Sequence, residues 1–185
     1  MIKNVLVTGN LGYVGTVLTK FLTEKNYNVN GYDNGFYESN LFGEMEAKPQ
    51  IQIKKDIRDL KDEDLSNIDC VIHLAGLSND PLGEFNKSLT YEINLKGTIK
   101  LAKISRTNGV KRFIYISSQS MYGISETDEE LDEDLSEKNP ITTYAKAKWE
   151  AEKEINEMSN NNFTVVSFRP STVFGWSPRL RCDIV

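Results

Sequence analysis

Short apolar runs alternate with stretches of helical periodicity along the whole chain. Val5-Leu6-Val7, Asn28 to Asp33, Ile51-Gln52-Ile53, Ile68 to Ala75, Phe113 to Ile116 and Phe163 to Phe168 read as strands. After the first, Val14, Val17, Leu18, Phe21 and Leu22 recur at the spacing of a helix with one buried face. A small charged helix is expected after Asp56-Ile57-Arg58-Asp59. A long one should run from about Phe85 to Asn108, stopped by Gly109, and a third should start near Ile141 and carry Tyr144, Lys148, Ala151, Ile155 and Met158. Residues 34–50, with Gly35, Gly43 and Pro49, read as an irregular connection. The alternation predicts a doubly wound α/β fold, a parallel sheet of about six strands covered on both faces.

The first strand breaks into Gly9, Gly12 and Gly15 just where the first helix begins. In a strand–turn–helix of this kind one glycine permits the tight turn, one lets a pyrophosphate approach the backbone, and one allows helix and strand to pack closely. The free N–H groups of the new helix, with its dipole, then face the anion. The spacing is G-x-x-G-x-x-G, one residue longer than the common dinucleotide fingerprint. Asp33 ends the second strand, where an acceptor for the adenosine ribose hydroxyls belongs. A carboxylate there repels a 2′-phosphate, so the residues favour NAD over NADP.

At 185 residues the length suits one domain, and 39% apolar with 26% charged residues is ordinary for a globular protein. The net charge of −5, without a basic tract, points to small-molecule partners, not to nucleic acid or a membrane surface. Two cysteines, Cys70 and Cys182, do not make a disulfide framework, and with no signal peptide or long apolar span in the chain a cytoplasmic location is expected. Eight carboxylates crowd residues 126–137, an expected solvated loop without metal-ligand spacing.

Tyr144 and Lys148 stand four apart on a predicted helix, so they share a face. An ammonium beside a phenol favours the phenolate, which makes a base near neutral pH. Chance alone gives about 0.7 such Y-x-x-x-K matches in a chain of this composition, so position must carry the argument. Ser117-Ser118-Gln119-Ser120 lies at the carboxyl end of the fifth strand, where ligands of open α/β sheets bind. His73 lies inside an apolar run and is expected to be a hydrogen-bonded core residue, while Asn94 is a polar group in mid-helix.

These motifs together resemble the extended short-chain dehydrogenase/reductase family, in its nucleotide-sugar epimerase/dehydratase branch, and most of all its UDP-glucose 4-epimerase-like members. The matching residues are Thr8-Gly9-x-x-Gly12-x-x-Gly15, Asp33, Asp56-Ile57, His73-Leu74-Ala75-Gly76, Asn94 with Gly97-Thr98, Ser117-Ser118, Tyr122-Gly123, Tyr144-x-x-x-Lys148 and Arg169-Pro170. The resemblance implies bound NAD, with Gly9, Leu11, Gly12, Tyr13, Val14 and Gly15 at the pyrophosphate, Asp33 and Asn34 at the adenosine ribose, and Asp56 and Ile57 at the adenine. Leu74, Ala75, Gly76 and Asn94 would line the middle of the cofactor, Pro170 the nicotinamide, and Lys148 the nicotinamide ribose, with Tyr144 also among the cofactor-binding residues. It also implies a nucleotide-sugar substrate met by Ser78, Ser118, Ser120 and Tyr144, with Tyr144 as base, Ser118 orienting the sugar hydroxyl and Lys148 tuning the phenol.

Gln119 and Ser120 stand where dehydratases of this family carry an acidic pair, which disfavours dehydration. Ser78 stands where many UDP-galactose 4-epimerases have lysine, so the sugar is open. Relatives run far beyond residue 185, and the expectation is a dinucleotide-binding domain over residues 1–185 lacking most of the substrate-binding part. A reductase or dehydratase of the same family and a non-catalytic NAD-binding module are the alternatives. The family commonly dimerises through a helix pair, for which Trp149 and Ile155 offer a face, although both fit an intramolecular core equally well.

Overall fold

A computed structural model of the chain describes residues 1–78, 80–124 and 130–181, without the side chains of Asp80 and Leu82. Cys182 and the start of the acidic run therefore lie outside the described residues. Six strands, β1 (Asn4–Thr8), β2 (Asn28–Asp33), β3 (Ile51–Lys54), β4 (Cys70–His73), β5 (Arg112–Ile116) and β6 (Thr164–Phe168), form one sheet in the order β3-β2-β1-β4-β5-β6. Every neighbouring pair is parallel. This is the strand order of the doubly wound dinucleotide fold, with its switch point between β1 and β4.

The helices are α1 (Tyr13–Glu24), α2 (Asp80–Phe85), α3 (Lys87–Thr90), α4 (Thr98–Thr107) and α5 (Thr143–Asn156). The long helix expected over 85–108 is thus divided: Asn86 caps α3, and a π-helical turn, Tyr91–Gly97, joins α3 to α4. Gly109, at φ +75°, follows α4 as the expected stop. The small charged helix resolves into two 3₁₀ turns, Ile57–Asp59 and Asp62–Leu65.

Alternation along the strands fills two apolar clusters. Leu6, Val71 and Phe113 pack with Leu101 and Ala102 of α4 and Ala151 and Ile155 of α5. Val5, Val7, Cys70 and Ile72 pack on the opposite side with Leu22 of α1. Ile155 is fully buried, so it belongs to the core of this chain. The Cys70 thiol is free and buried, and its burial pushes it up to about 11.

Two further expectations need correction. The buried residues of α1 are Gly15, Thr16, Thr19 and Leu22, whereas Val14, Val17 and Phe21 are exposed at 38, 45 and 53%. Close approach of α1 to the sheet admits only small side chains at the contact, and this rotates the bulky apolar residues outward. Nor is the sheet fully covered on both faces. Ile114 pairs with Val166 and Ile116 with Phe168 on the α1 side, where Phe168 is 53% exposed.

Candidate functional site

The glycine turn joins β1 to α1 at the carboxyl edge of the sheet. Gly9 takes φ +73°, and a Cβ on it would stand 2.7 Å from the Ala75 nitrogen. Its N–H donates to the Tyr32 carbonyl and its own carbonyl accepts from Gly12. Gly12 is the N-cap of α1 and has no side chain to cap the helix. A Cβ on Gly12 would meet only the Gly9 oxygen, at 3.1 Å. An uncapped helix start beside bare backbone fits an anion such as a pyrophosphate. Leu11 is buried, Val14 is exposed, and the Tyr13 hydroxyl donates to the Gly175 carbonyl at 2.6 Å.

Asp33, at the end of β2, is tied to this turn directly. Its Oδ2 accepts from the Leu11 N–H at 3.2 Å and its Oδ1 from the Gly35 N–H at 2.9 Å. Burial pushes the Asp33 carboxyl up and Glu38 adds to this, while the two N–H bonds pull it back. Next to it, Asn34 is exposed and its side chain accepts from the Phe36 N–H. Asp56 caps the 3₁₀ turn through the Arg58 N–H and forms a bidentate pair with the Arg58 guanidinium. That pair holds the Asp56 carboxyl below its ordinary value, and Ile57 beside it is buried.

Leu74, Ala75 and Gly76 follow β4. The Leu74 N–H donates to the Thr8 carbonyl, and a Cβ on Gly76 would stand 2.9 Å from the Asn94 side-chain oxygen. Asn94 sits in the π-helical turn, buried, and pairs with both backbone groups of Leu77 at 2.8 and 2.9 Å. The extra residue of a π turn brings that amide in to the strand end.

His73 lies below this layer. Its Nδ1 is 2.7 Å from the Thr8 hydroxyl and its Nε2 2.8 Å from that of Thr98. The Thr98 hydroxyl donates to the Asn94 carbonyl, so it accepts from Nε2–H, and Thr8 donates to Nδ1. The result is a buried chain from Asn94 to the glycine turn, and His73 is the core residue that its apolar setting implied. Burial lowers its pKa to about 3, and the Lys148 charge adds to this. Because the folded value lies below the ordinary 6.5, the unfolded chain takes up the proton first as pH falls. The stability that His73 contributes is complete above that value and is lost toward pH 3. A loss of about 2 kcal/mol is expected between pH 8 and pH 5 from this group. The chain has one histidine, so its ring resonance in NMR is unambiguous, and it should not titrate in that range while the protein is folded.

Across the sheet stands a second group. Ser118 caps the 3₁₀ turn Gln119–Tyr122: its Oγ accepts from the Ser120 N–H and lies 2.9 Å from the Ser120 hydroxyl. Tyr144 is in the first turn of α5, which Thr142 caps through the Ala145 N–H. The Thr143 N–H donates to Glu84 of α2 at 2.6 Å, an anchor that the sequence did not reveal. Lys148 is buried; its Nζ donates to the Ile116 carbonyl at 2.7 Å and lies 4.6 and 6.0 Å from the ring centres of Tyr115 and Tyr144. Desolvation lowers the Lys148 ammonium to about 8, with Glu152 opposing the shift. The Pro170 carbonyl accepts from Gln119, which joins the end of β6 to the Ser118 turn. Ser78 is exposed and meets the Arg181 guanidinium at 3.3 Å.

Two further features had no individual signal in the sequence. One is the Thr8–His73–Thr98 chain. The other is the pair between Glu152, 1% exposed, and Arg169, in which Glu152 Oε1 accepts from Nε and Nη2 of the guanidinium at 3.0 and 2.7 Å. Among the described residues no group of side chains suits a metal ion, and no helix is long and apolar enough to cross a membrane.

The sequence profile of the NAD dependent epimerase/dehydratase family matches residues 5–181. The chain is 32% identical over 182 residues to the N-acetyl-alpha-D-glucosaminyl-diphospho-ditrans,octacis-undecaprenol 4-epimerase of Escherichia coli O157:H7, which covers 95% of this chain and 50% of that protein. It is 30% identical over 187 residues to the UDP-glucose 4-epimerase of Vibrio cholerae, covering 95% of this chain and 53% of that one. Among solved structures, the UDP-glucuronic acid 4-epimerase from Bacillus cereus in complex with NAD superimposes with a TM-score of 0.78 at 27% identity, over 97% of this chain and 60% of that one. The chain spans about half the length of the curated relatives it matches. By the profile over residues 5–181, by the identity to these relatives and by the sheet order, the chain belongs to the NAD dependent epimerase/dehydratase family.

Proposed function

We propose that this chain binds NAD along the carboxyl edge of its sheet and supplies the base and hydroxyl-orienting groups of a nucleotide-sugar 4-epimerase. The observation that carries this reading is the pairing of two half-sites on one edge. The uncapped α1 turn with Asp33 bonded to Leu11 lies on one side of the switch point, and Ser118, Tyr144 and Lys148 lie on the other.

The residues present fit the cofactor. Gly9, Leu11, Gly12, Tyr13, Val14 and Gly15 would surround the pyrophosphate, Asp33 and Asn34 the adenosine ribose, and Asp56 and Ile57 the adenine. Leu74, Ala75, Gly76, Asn94 and Pro170 would line the path to the nicotinamide, where Lys148 would hold ribose hydroxyls. When bound, NAD supplies a hydride acceptor that becomes the donor for the return step. Tyr144, as phenolate, takes the proton of the sugar hydroxyl, and Lys148 favours that phenolate by its charge. Ser118 aims the same hydroxyl at Tyr144. Gln119 and Ser120 carry no acidic group to expel water, which favours epimerisation over dehydration.

Fluorescence titration of the 185-residue chain with NADH tests the reading. Saturable binding is expected, at least about tenfold tighter than for NADPH, because Asp33 faces the ribose. UDP-glucose should change that affinity if the substrate residues form a pocket in this chain. Binding that ignores the sugar nucleotide would favour an NAD-binding module without a sugar site, and no binding would refute the proposal.

A further inference from the structure

Tyr144, Lys148 and Glu152 follow one another at helical turns along one face of α5. The last two are ionisable groups at 5 and 1% exposure. Burying a single ammonium is costly, and Lys148 Nζ donates to a neutral acceptor, the Ile116 carbonyl. Its charged and titratable neighbours lie on β4, β5 and α5. His73 of β4 is held neutral by burial, and burial pushes the Tyr115 phenol of β5 well up. Tyr144 is the proposed base, and the cation Arg169, after β6, meets Glu152. Glu152 is the carboxylate that acts on Lys148.

Glu152 is divided between two duties. Its Oε1 holds Arg169, and its Oε2, buried, has no hydrogen-bond partner among the described residues. Arg169 is itself fixed, by the Tyr122 hydroxyl at 2.7 Å and the Glu133 carbonyl at 2.6 Å. A strongly anchored carboxylate with one oxygen unpaired, one turn from a buried ammonium, is an arrangement that stability alone does not favour.

We propose that Glu152, held in place by Arg169, is a positioning residue for Lys148, keeping its buried amine in the cationic form that the cofactor site uses. The inference rests on the reading of Lys148 given under the proposed function. Breaking the Glu152 charge therefore acts on the cofactor site through Lys148 rather than through contact with the ligand.

The experiment is an NADH titration of the full chain from pH 6 to pH 10, in the wild type, Lys148→Met, Glu152→Gln and Glu152→Asp. Wild-type affinity should weaken through an alkaline midpoint that Lys148→Met abolishes. Glu152→Gln should move that midpoint down by about one pH unit, the effect of one charge across a helical turn in a partly desolvated setting. Glu152→Asp keeps a charge for Arg169 but withdraws it by one methylene, and should give a smaller shift in the same direction. It keeps the test decisive if Glu152→Gln does not fold. A midpoint unmoved in the folded Glu152 variants, with the Lys148→Met effect intact, overturns the inference and leaves the proposed function standing. A wild type that binds NADH with no Lys148-dependent midpoint overturns the inference together with the cofactor role given to Lys148, and one that does not bind NADH overturns the proposed function as well. A structural role alone would lower thermal stability without moving the midpoint.

Discussion

Gly15→Ala is expected to cost at least about 4 kcal/mol, a large part of the stability of a domain of this size. A Cβ at this position would overlap the Gly9 carbonyl oxygen and stand 2.7 Å from the Asn10 Cα. Both are backbone atoms of the turn, so neither can swing aside as a side chain would. The helix would have to lift from the sheet, taking with it the contacts of Thr16, Thr19 and Leu22. Gly43→Ala is the control: at φ +93° with nothing within 4 Å of its Cβ, it carries only backbone strain of roughly 1 kcal/mol. Urea unfolding of both variants separates close packing from conformational strain. Equal losses would mean that the approach of α1 is not the constraint.

On the proposed 4-epimerase reading, Tyr144→Phe should lower turnover by about 10²–10⁴-fold, the usual worth of a positioned base. NADH affinity should stay within about threefold, since the ring that packs against its neighbours is retained. The variant removes one oxygen from the first turn of a helix that Thr142 and Glu84 continue to anchor. Turnover that survives Tyr144→Phe would show that another group removes the hydroxyl proton. A parallel loss of NADH binding would show that the tyrosine hydroxyl also carries a large share of cofactor binding.

The strand pattern, the stop at Gly109 and the core role of His73 were legible because each depends on local composition or short-range spacing. The buried face of α1 was not. Period alone marked Val14, Val17 and Phe21 as the inward stripe, but it takes no account of how near the helix axis lies to the strands. There, glycine and threonine pack closer than valine and phenylalanine can. The π-helical turn was hidden for a similar reason. Residues 91–97 read as ordinary helix, and the insertion is stabilised by Asn94 meeting Leu77, a partner 17 residues away. Glu152 carried no signal in the sequence and Arg169 stood out only as part of the Arg169-Pro170 motif; their pairing follows from β6 lying alongside α5.

Sequence by itself determined the alternation of strand and helix, and with it a parallel sheet. It also determined the glycine turn with Asp33 beyond it, because backbone conformation at glycine and side-chain chemistry at the strand end are local properties. Only the tertiary structure decided which distant groups meet. It brought Asp33 to the Leu11 N–H, buried Lys148 against Tyr115 and linked Asn94 to the glycine turn through Thr98, His73 and Thr8. Those contacts depend on strand order and on how closely each helix approaches the sheet, quantities set by the packing of the whole core.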